Sequence, residues 1–255
     1  MPVEIYMSSP VHSIRPEDNL REAQRLLDGL SITSLAVVGG NGDLVGVLSR
    51  TDLIRVGRRQ AGSRGKADLL TLPEMRVSRR MTQEVVKVAP RDPLAVAAKQ
   101  MVKDRLHRVF VEEAGRLVGV LSTNDVMLAI RDKRVKNPIS EWMSSPVFTI
   151  RSEEPVSLAV ERLEKARITG LVVVEGNWPI GLFTQREALE AHDQPRNTPV
   201  EEAMSAALLA LDVAAPLHRA AAQAAATRVR RIIAVRGRNM EGILTGIDFA
   251  RAASI

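Results

Sequence analysis

Apolar and polar positions alternate between two periods along this chain, and the switches between them recur. Leu20, Ala23, Leu26, Leu27 and Leu30 return at intervals of three and four, which predicts a helix with one buried face behind Pro16-Glu17-Asp18-Asn19. The apolar run Leu35-Ala36-Val37-Val38, the turn sequence Gly39-Gly40-Asn41-Gly42-Asp43 and a second run from Leu44 to Leu48 then predict a hairpin. Ser49 opens another helix. With a short strand ending at Ile14 the order is strand, helix, strand, turn, strand, helix.

This unit comes back three times. Met81-Thr82 leads to a strand at Val85 to Val88, a helix starting at Pro93 with Leu94, Ala97, Ala98 and Met101 inward, and the run from Leu106 to Val111. Met143-Ser144-Ser145-Pro146-Val147 copies Met7-Ser8-Ser9-Pro10-Val11 letter for letter, and Met204-Ser205 opens the fourth unit. Each unit ends on one turn, in which Gly is followed by two apolar residues, Ser or Thr, two variable residues and an acid. The four copies run from Gly46 to Asp52, Gly119 to Asp125, Gly181 to Glu187 and Gly242 to Asp248. They recur about every 60 residues, which marks a repeat protein with one insertion at the first junction.

The repeats are of two kinds. Before the middle strand, repeats one and three carry Ile32-Thr33-Ser34-Leu35 and Ile168-Thr169-Gly170-Leu171, whereas repeats two and four carry Leu106-His107-Arg108-Val109 and Val229-Arg230-Arg231-Ile232. A duplicated two-repeat block explains this alternation. It gives modules of residues 1–134 (repeats about 5–56 and 79–131, insertion 57–78) and 137–255 (repeats about 140–192 and 200–253), jointed at Asn137-Pro138. Within Arg55 to Lys66, the cations Arg55, Arg58, Arg59, Arg64 and Lys66 among Gly57, Gly62, Ser63 and Gly65 read as a mobile basic loop. A solvated linker and a nucleic-acid contact both fit it.

Composition narrows the chemistry. With no cysteine and four scattered histidines (His12, His107, His192, His218), neither a thiolate nucleophile nor a metal site is expected. No apolar run reaches 18 residues and no signal sequence opens the chain, so a cytoplasmic protein without a membrane partner is expected. A net charge of +6 and a pI near 10.1, carried largely by Arg, suit anionic ligands. Aromatic residues at 3% leave few platforms for single-stranded bases.

With the four turns, the Met-Ser/Thr openings and the alternating signatures in view, the chain resembles a tandem of cystathionine β-synthase (CBS) domains. His107-Arg108, in its place between Leu106 and Val109, is also similar to nucleotide-contacting segments of the gamma subunit of AMP-activated protein kinase, which likewise has four CBS repeats. The resemblance implies an α/β (α+β) fold of four βαββα repeats, paired through their sheets into two Bateman modules with pseudo-twofold symmetry. It further implies a non-catalytic regulatory energy sensor that binds AMP, ADP or ATP, with S-adenosylmethionine as a further ligand of the family. Occupancy would be passed to an unidentified regulated protein through module orientation, in a monomer or a homodimer. Carried onto this sequence, Asp52, Asp125 and Asp248 hold ribose hydroxyls, Ser49, Ser122 and Thr245 contact phosphate, and Arg108, Arg230 and Arg231 supply positive charge. Thr51, His107, Asn124 and Thr184 complete the expected ligand-binding set, and Glu187 marks a cleft that departs from the pattern by one methylene.

The residues themselves admit a plainer account. Ser or Thr followed three positions later by an acid is a capping box, which satisfies orphan amides at a helix start. The free amides and dipole at such a start also attract phosphate, so one turn can serve both ends. Gly46 and its counterparts suit either a close ligand or a tight strand contact. His107 has no catalytic triad, paired carboxylates or metal spacing around it, so no enzyme is expected. The alternative function is a basic scaffold or nucleic-acid-binding accessory protein using Arg58, Arg59, Arg64 and Lys66.

Overall fold

The computed structural model describes residues 1–60 and 68–255, and the side chains of 1–57 and 68–255. Repeat one comprises β1 (Ser13–Ile14), α1 (Leu20–Gly29), β2 (Ser34–Val38), β3 (Leu44–Ser49) and α2 (Arg50–Gln60). Repeat two comprises β4 (Lys87–Val88), α3 (Leu94–Asp104), β5 (Arg108–Glu113), β6 (Arg116–Ser122) and α4 (Thr123–Asp132). Repeat three has β7 (Thr149–Arg151), α5 (Val156–Lys165), β8 (Gly170–Glu175), β9 (Trp178–Thr184) and α6 (Gln185–Glu190). Repeat four has β10 (Leu209–Asp212), α7 (Leu217–Thr227), β11 (Ile232–Arg236), β12 (Asn239–Leu244) and α8 (Gly246–Ala253). Each repeat forms its own three-stranded sheet, the first strand parallel and the third antiparallel to the middle one. The expected βαββα order is therefore observed four times.

The patterning explains the helices. Asn19 caps α1 by accepting from Glu22 N at 2.8 Å, and Leu20, Ala23 and Leu27 are buried on one face. Pro93, Pro155 and Pro216 stand at the N-caps of α3, α5 and α7, where a missing amide costs nothing.

A 3-10 helix precedes every Met opening, at Val3–Ile5, Val77–Arg79, Ile139–Glu141 and Val200–Glu202. Each buries its first residue completely, worth roughly 1.5–3 kcal/mol per side chain. The methionine four residues on packs on the turn glycine of the neighbouring repeat, and the exchange is reciprocal. Met7 lies on Gly119 and Met81 on Gly46, while Met143 lies on Gly242 and Met204 on Gly181. A methyl added at Gly119 would stand 2.5 Å from Met7 Sδ. Tight packing rather than ligand approach thus accounts for these glycines, as the isolated strand bridges Ser8↔Val120, Val47↔Thr82, Ser144↔Ile243 and Leu182↔Ser205 confirm.

Contacts divide the chain into two compact units. The first, Met1–Val11, Val85–Val147 and Leu208–Ile255, holds the sheets of repeats two and four. Its core includes Val3, Val109, Leu121, Ile139, Leu217 and Phe249. The second, His12–Glu84 and Phe148–Ala207, holds those of repeats one and three around Leu20, Leu35, Leu48, Val77, Phe183 and Leu189.

The insertion differs from its expected form. Arg55 to Gln60 continue α2 instead of forming a loop, because Leu53, Ile54 and Val56 give that stretch a buried face. Leu69 and Leu70 are 1% exposed, and their amides donate to Gln194 O and His192 O at 2.9 and 3.0 Å. The segment from residue 68 onward is therefore a packed strap within the second unit. Arg64, Lys66 and the rest of 61–67 lie outside the described residues, as do the side chains of Arg58 and Arg59.

Candidate ligand site

At all four turns the acid reaches back over the helix start. Asp52 Oδ2 accepts from Ser49 N and Oγ at 2.9 and 2.6 Å, and Asp125 Oδ2 accepts from Ser122 N and Oγ at 2.7 Å each. Glu187 Oε2 accepts from Thr184 N at 2.9 Å and from Thr184 Oγ1, its extra methylene absorbed without loss of the motif. Asp248 Oδ2 accepts from Thr245 N and Oγ1 at 2.7 Å each. Capping is thus a role of every one of these acids. Oδ1 of Asp52 and Asp125 enters none of these bonds, whereas Asp248 Oδ1 accepts from Ser144 Oγ at 2.8 Å and Arg251 Nη2 at 3.1 Å. Asp248 is 1% exposed and both of its oxygens are engaged within the first unit.

In the first unit the two helix starts meet. Thr123 opens α4 and Gly246 opens α8, and a Cβ on Gly246 would fall 2.3 Å from Thr123 Oγ1. Thr123 N donates to His107 O at 2.9 Å, Arg108 is paired in register with Ser122, and Ile232, next to Arg231, is paired with Leu244 just before Thr245. The even-repeat signatures are thereby drawn to one place. Their charges feel one another: burial and then Arg231, Arg108 and Arg230 hold His107 down to about 4. Burial and Arg230 lower Arg108 to about 10, against the pull of Asp125. Burial raises the Asp125 carboxyl, opposed by the Ser122 hydrogen bonds and by Arg108. The result is a cluster of half-buried Arg108 and Arg231, exposed Arg230 and a neutral imidazole beside an acid, an arrangement complementary to an anion bearing hydroxyls.

The second unit is built differently at the same positions. Gln185 Nε2 of α6 donates to Thr51 Oγ1 of α2 at 2.8 Å, and Thr33-Ser34 and Thr169-Gly170 stand where the other unit carries His and Arg. Its cation is Arg50, 2% exposed, which sequence reading did not single out. Arg50 Nε donates to Ile32 O at 3.0 Å and Nη2 to Leu27 O at 2.9 Å, with Asp28 Oδ1 3.1 Å from Nη2. It binds the Leu27 carbonyl in the last turn of α1 and the Ile32 carbonyl just beyond that helix, and a long polar residue opening a helix after Ser49 was its only mark in the sequence.

A sequence model of the CBS domain matches residues 3–59, 76–132 and 139–193, three of the four repeats and more than half of the chain. The chain belongs to the CBS domain family. Among solved structures, a Methanocaldococcus jannaschii protein proposed as an archaeal homologue of g-AMPK is similar over 99% of both chains, with a TM-score of 0.85 at 17% identity. An uncharacterised conserved protein of Pyrococcus horikoshii aligns over 99% of this chain and 100% of its own, with a TM-score of 0.71 at 20% identity. At these identities the likeness speaks for the fold. An uncharacterised 33.4 kDa protein in the ribosomal RNA operon of Thermofilum pendens is 27% identical over 184 residues, 67% of this chain. A homoserine O-acetyltransferase of Methanocorpusculum labreanum is 30% identical over 130 residues, 51% of this chain. This chain spans 58% of the first relative and 24% of the second.

Across the CBS repeats the expected site residues therefore separate. Ser122, Asn124 and Asp125 stand at the start of α4 beside His107 and Arg108, with Arg230 and Arg231 from repeat four. Ser49, Thr51, Asp52, Thr184 and Glu187 stand together at the starts of α2 and α6. Thr245 and Asp248 cap the start of α8, where Asp248 also holds Ser144 and Arg251. Among the described residues no group of three or more His, Asp or Glu could hold a metal, and no helix is long and apolar enough to cross a membrane.

Proposed function

We propose that this CBS protein is a non-catalytic adenine-nucleotide sensor and that its phosphate-recognising site lies in the first unit. The observation that supports this reading is the gathering of His107, Arg108, Arg230 and Arg231 where α4 and α8 begin. Like charges brought together at a partly buried edge repel, and an anionic ligand relieves that repulsion while the helix starts add favourable dipoles. In this reading AMP, ADP or ATP places phosphate against the arginines, and Asp125 Oδ1 takes a ribose hydroxyl. A regulated partner that prefers the occupied form reads the state, and the shift is bounded by the ligand's differential affinity for the two forms.

Calorimetry with AMP, ADP, ATP and S-adenosylmethionine tests it. The phosphorylated ligands are expected to bind, and Arg108→Ala with Arg231→Ala to weaken them by about tenfold or more while leaving the uncharged adenosine control little changed. Asp125→Ala is expected to weaken binding more than Glu187→Ala, since Glu187 is nearly buried. Absence of heat and of thermal shift with every ligand at millimolar concentration removes the proposal.

A further inference from the structure

The four repeats supply an internal control, and at one outer position repeat one breaks from the other three. Where the strap before each Met opening crosses the start of a helix, the bridged pairs are Pro2↔Pro93, Pro138↔Pro216 and Pro155↔Pro199, but Asn19↔Arg76 in repeat one. Two positions further along the helix, Arg21 replaces Ala95, Ser157 and His218. Six positions along, Arg25 stands where the others have Lys99, Glu161 and Ala222. Proline offers no amide proton and no polar side chain, so among these four bridged pairs that of repeat one alone carries polar side chains.

These residues line an open cavity of about 430 Å³ formed by Asn19, Arg21, Arg25, Glu74, Met75 and Arg76, all within the second unit. Its floor is tied down: Leu20 N donates to Met75 O at 3.0 Å and Val77 N to Asp18 O at 2.8 Å. Arg25 is paired with Glu22 at 2.8 Å, whereas among the described residues Arg21 and Arg76 enter no ion pair. Asn19 uses Oδ1 on the α1 cap, which leaves its amide nitrogen as a donor. Two exposed guanidinium forks and an amide donor beside one carboxylate, Glu74, match a compact phosphate that also carries hydroxyls. We propose that this cavity is a second, separate binding site for a small phosphorylated ligand, independent of the site at α4 and α8.

Pyrophosphate and ribose 5-phosphate are the probes, titrated into the full chain carrying Arg108→Ala and Arg231→Ala so that the first-unit cluster contributes less. Binding is expected to persist there and to fall about tenfold or more when Arg21→Gln and Arg76→Gln are added. It should survive the addition of Arg116→Gln and Arg219→Gln, which remove the same charge from exposed sites of the other unit. No binding of either probe in the Arg108→Ala, Arg231→Ala chain overturns the proposal, as does binding that Arg21→Gln and Arg76→Gln leave intact. Short duplex DNA binding through Arg21 and Arg76 while both probes fail also overturns it, since that result makes the patch a nucleic-acid surface. Thermal melts of each variant check that it folds. The nucleotide titrations of the unaltered chain are read separately, so this site can fail while the sensor reading stands.

Discussion

Thr123, the first residue of α4, lies against the bare backbone of Gly246, the first residue of α8, with only 2.3 Å between Thr123 Oγ1 and the place a Cβ would take. Helix propensity alone favours Gly246→Ala by up to about 1 kcal/mol. The contact predicts the opposite sign, a loss of about 1–3 kcal/mol in urea unfolding, because Thr123 Cβ at 2.7 Å cannot rotate away. Adding Thr123→Gly is expected to restore most of it; a stabilised single variant refutes the packing argument.

The methionine locks differ in what would have to move. At Gly119 the three nearest atoms all belong to the Met7 side chain, whereas at Gly181 the Ser205 carbonyl oxygen also lies 2.9 Å away. Gly181→Ala should therefore cost more than Gly119→Ala, and Met7→Ala should rescue Gly119→Ala better than Met204→Ala rescues Gly181→Ala. A double-mutant cycle in denaturant measures both couplings.

Arg50 and Asp28 form a pair in which burial lowers the guanidinium and raises the carboxyl. Removing one partner strands the other, so Arg50→Met is expected to cost about 3–5 kcal/mol, with Arg50→Met plus Asp28→Leu recovering a large part. Equal losses in the single and double variants would show that the carbonyl hydrogen bonds, not the pair, carry the effect.

His107 makes stability depend on acid. Its folded value, about 4, lies below the ordinary 6.5, so between these pH values the unfolded chain binds more protons and stability falls as pH falls. The loss approaches about 3 kcal/mol below pH 4. Chemical unfolding of the chain and of His107→Gln, compared across pH 4 to 6.5, should show the difference; parallel curves refute the cluster's effect on the imidazole. Bound phosphate should flatten the slope by favouring the charged ring.

Much of the fold could be read from the pattern because Leu20, Ala23 and Leu27 record in the sequence which helix face is covered, and the run from Leu171 to Val174 records a strand covered on both faces. The short elements were less legible. A two-residue strand such as Lys87–Val88 has no period, and the 3-10 helices announce themselves only through an apolar residue four before each Met. At the site, Ser122-x-x-Asp125 gave the cap, but that Thr123 would touch Gly246 depends on pairing repeats two and four, which no local pattern encodes. Asp248 looked like Asp125 in sequence, and only the approach of Ser144 and Arg251 sets it apart. Arg50 escaped notice because a charged residue is ordinarily placed at the surface, and its neighbours become known only once α1 ends beside α2.

Because each opening methionine closes a groove in another repeat's sheet, no single repeat carries its own lid. A gene fragment ending after repeat three would leave Met143 without Gly242 and Gly181 without Met204, two raw edges in one molecule. Growth and loss of such chains should then proceed by even numbers, and a lone unit should survive only by finding another like itself.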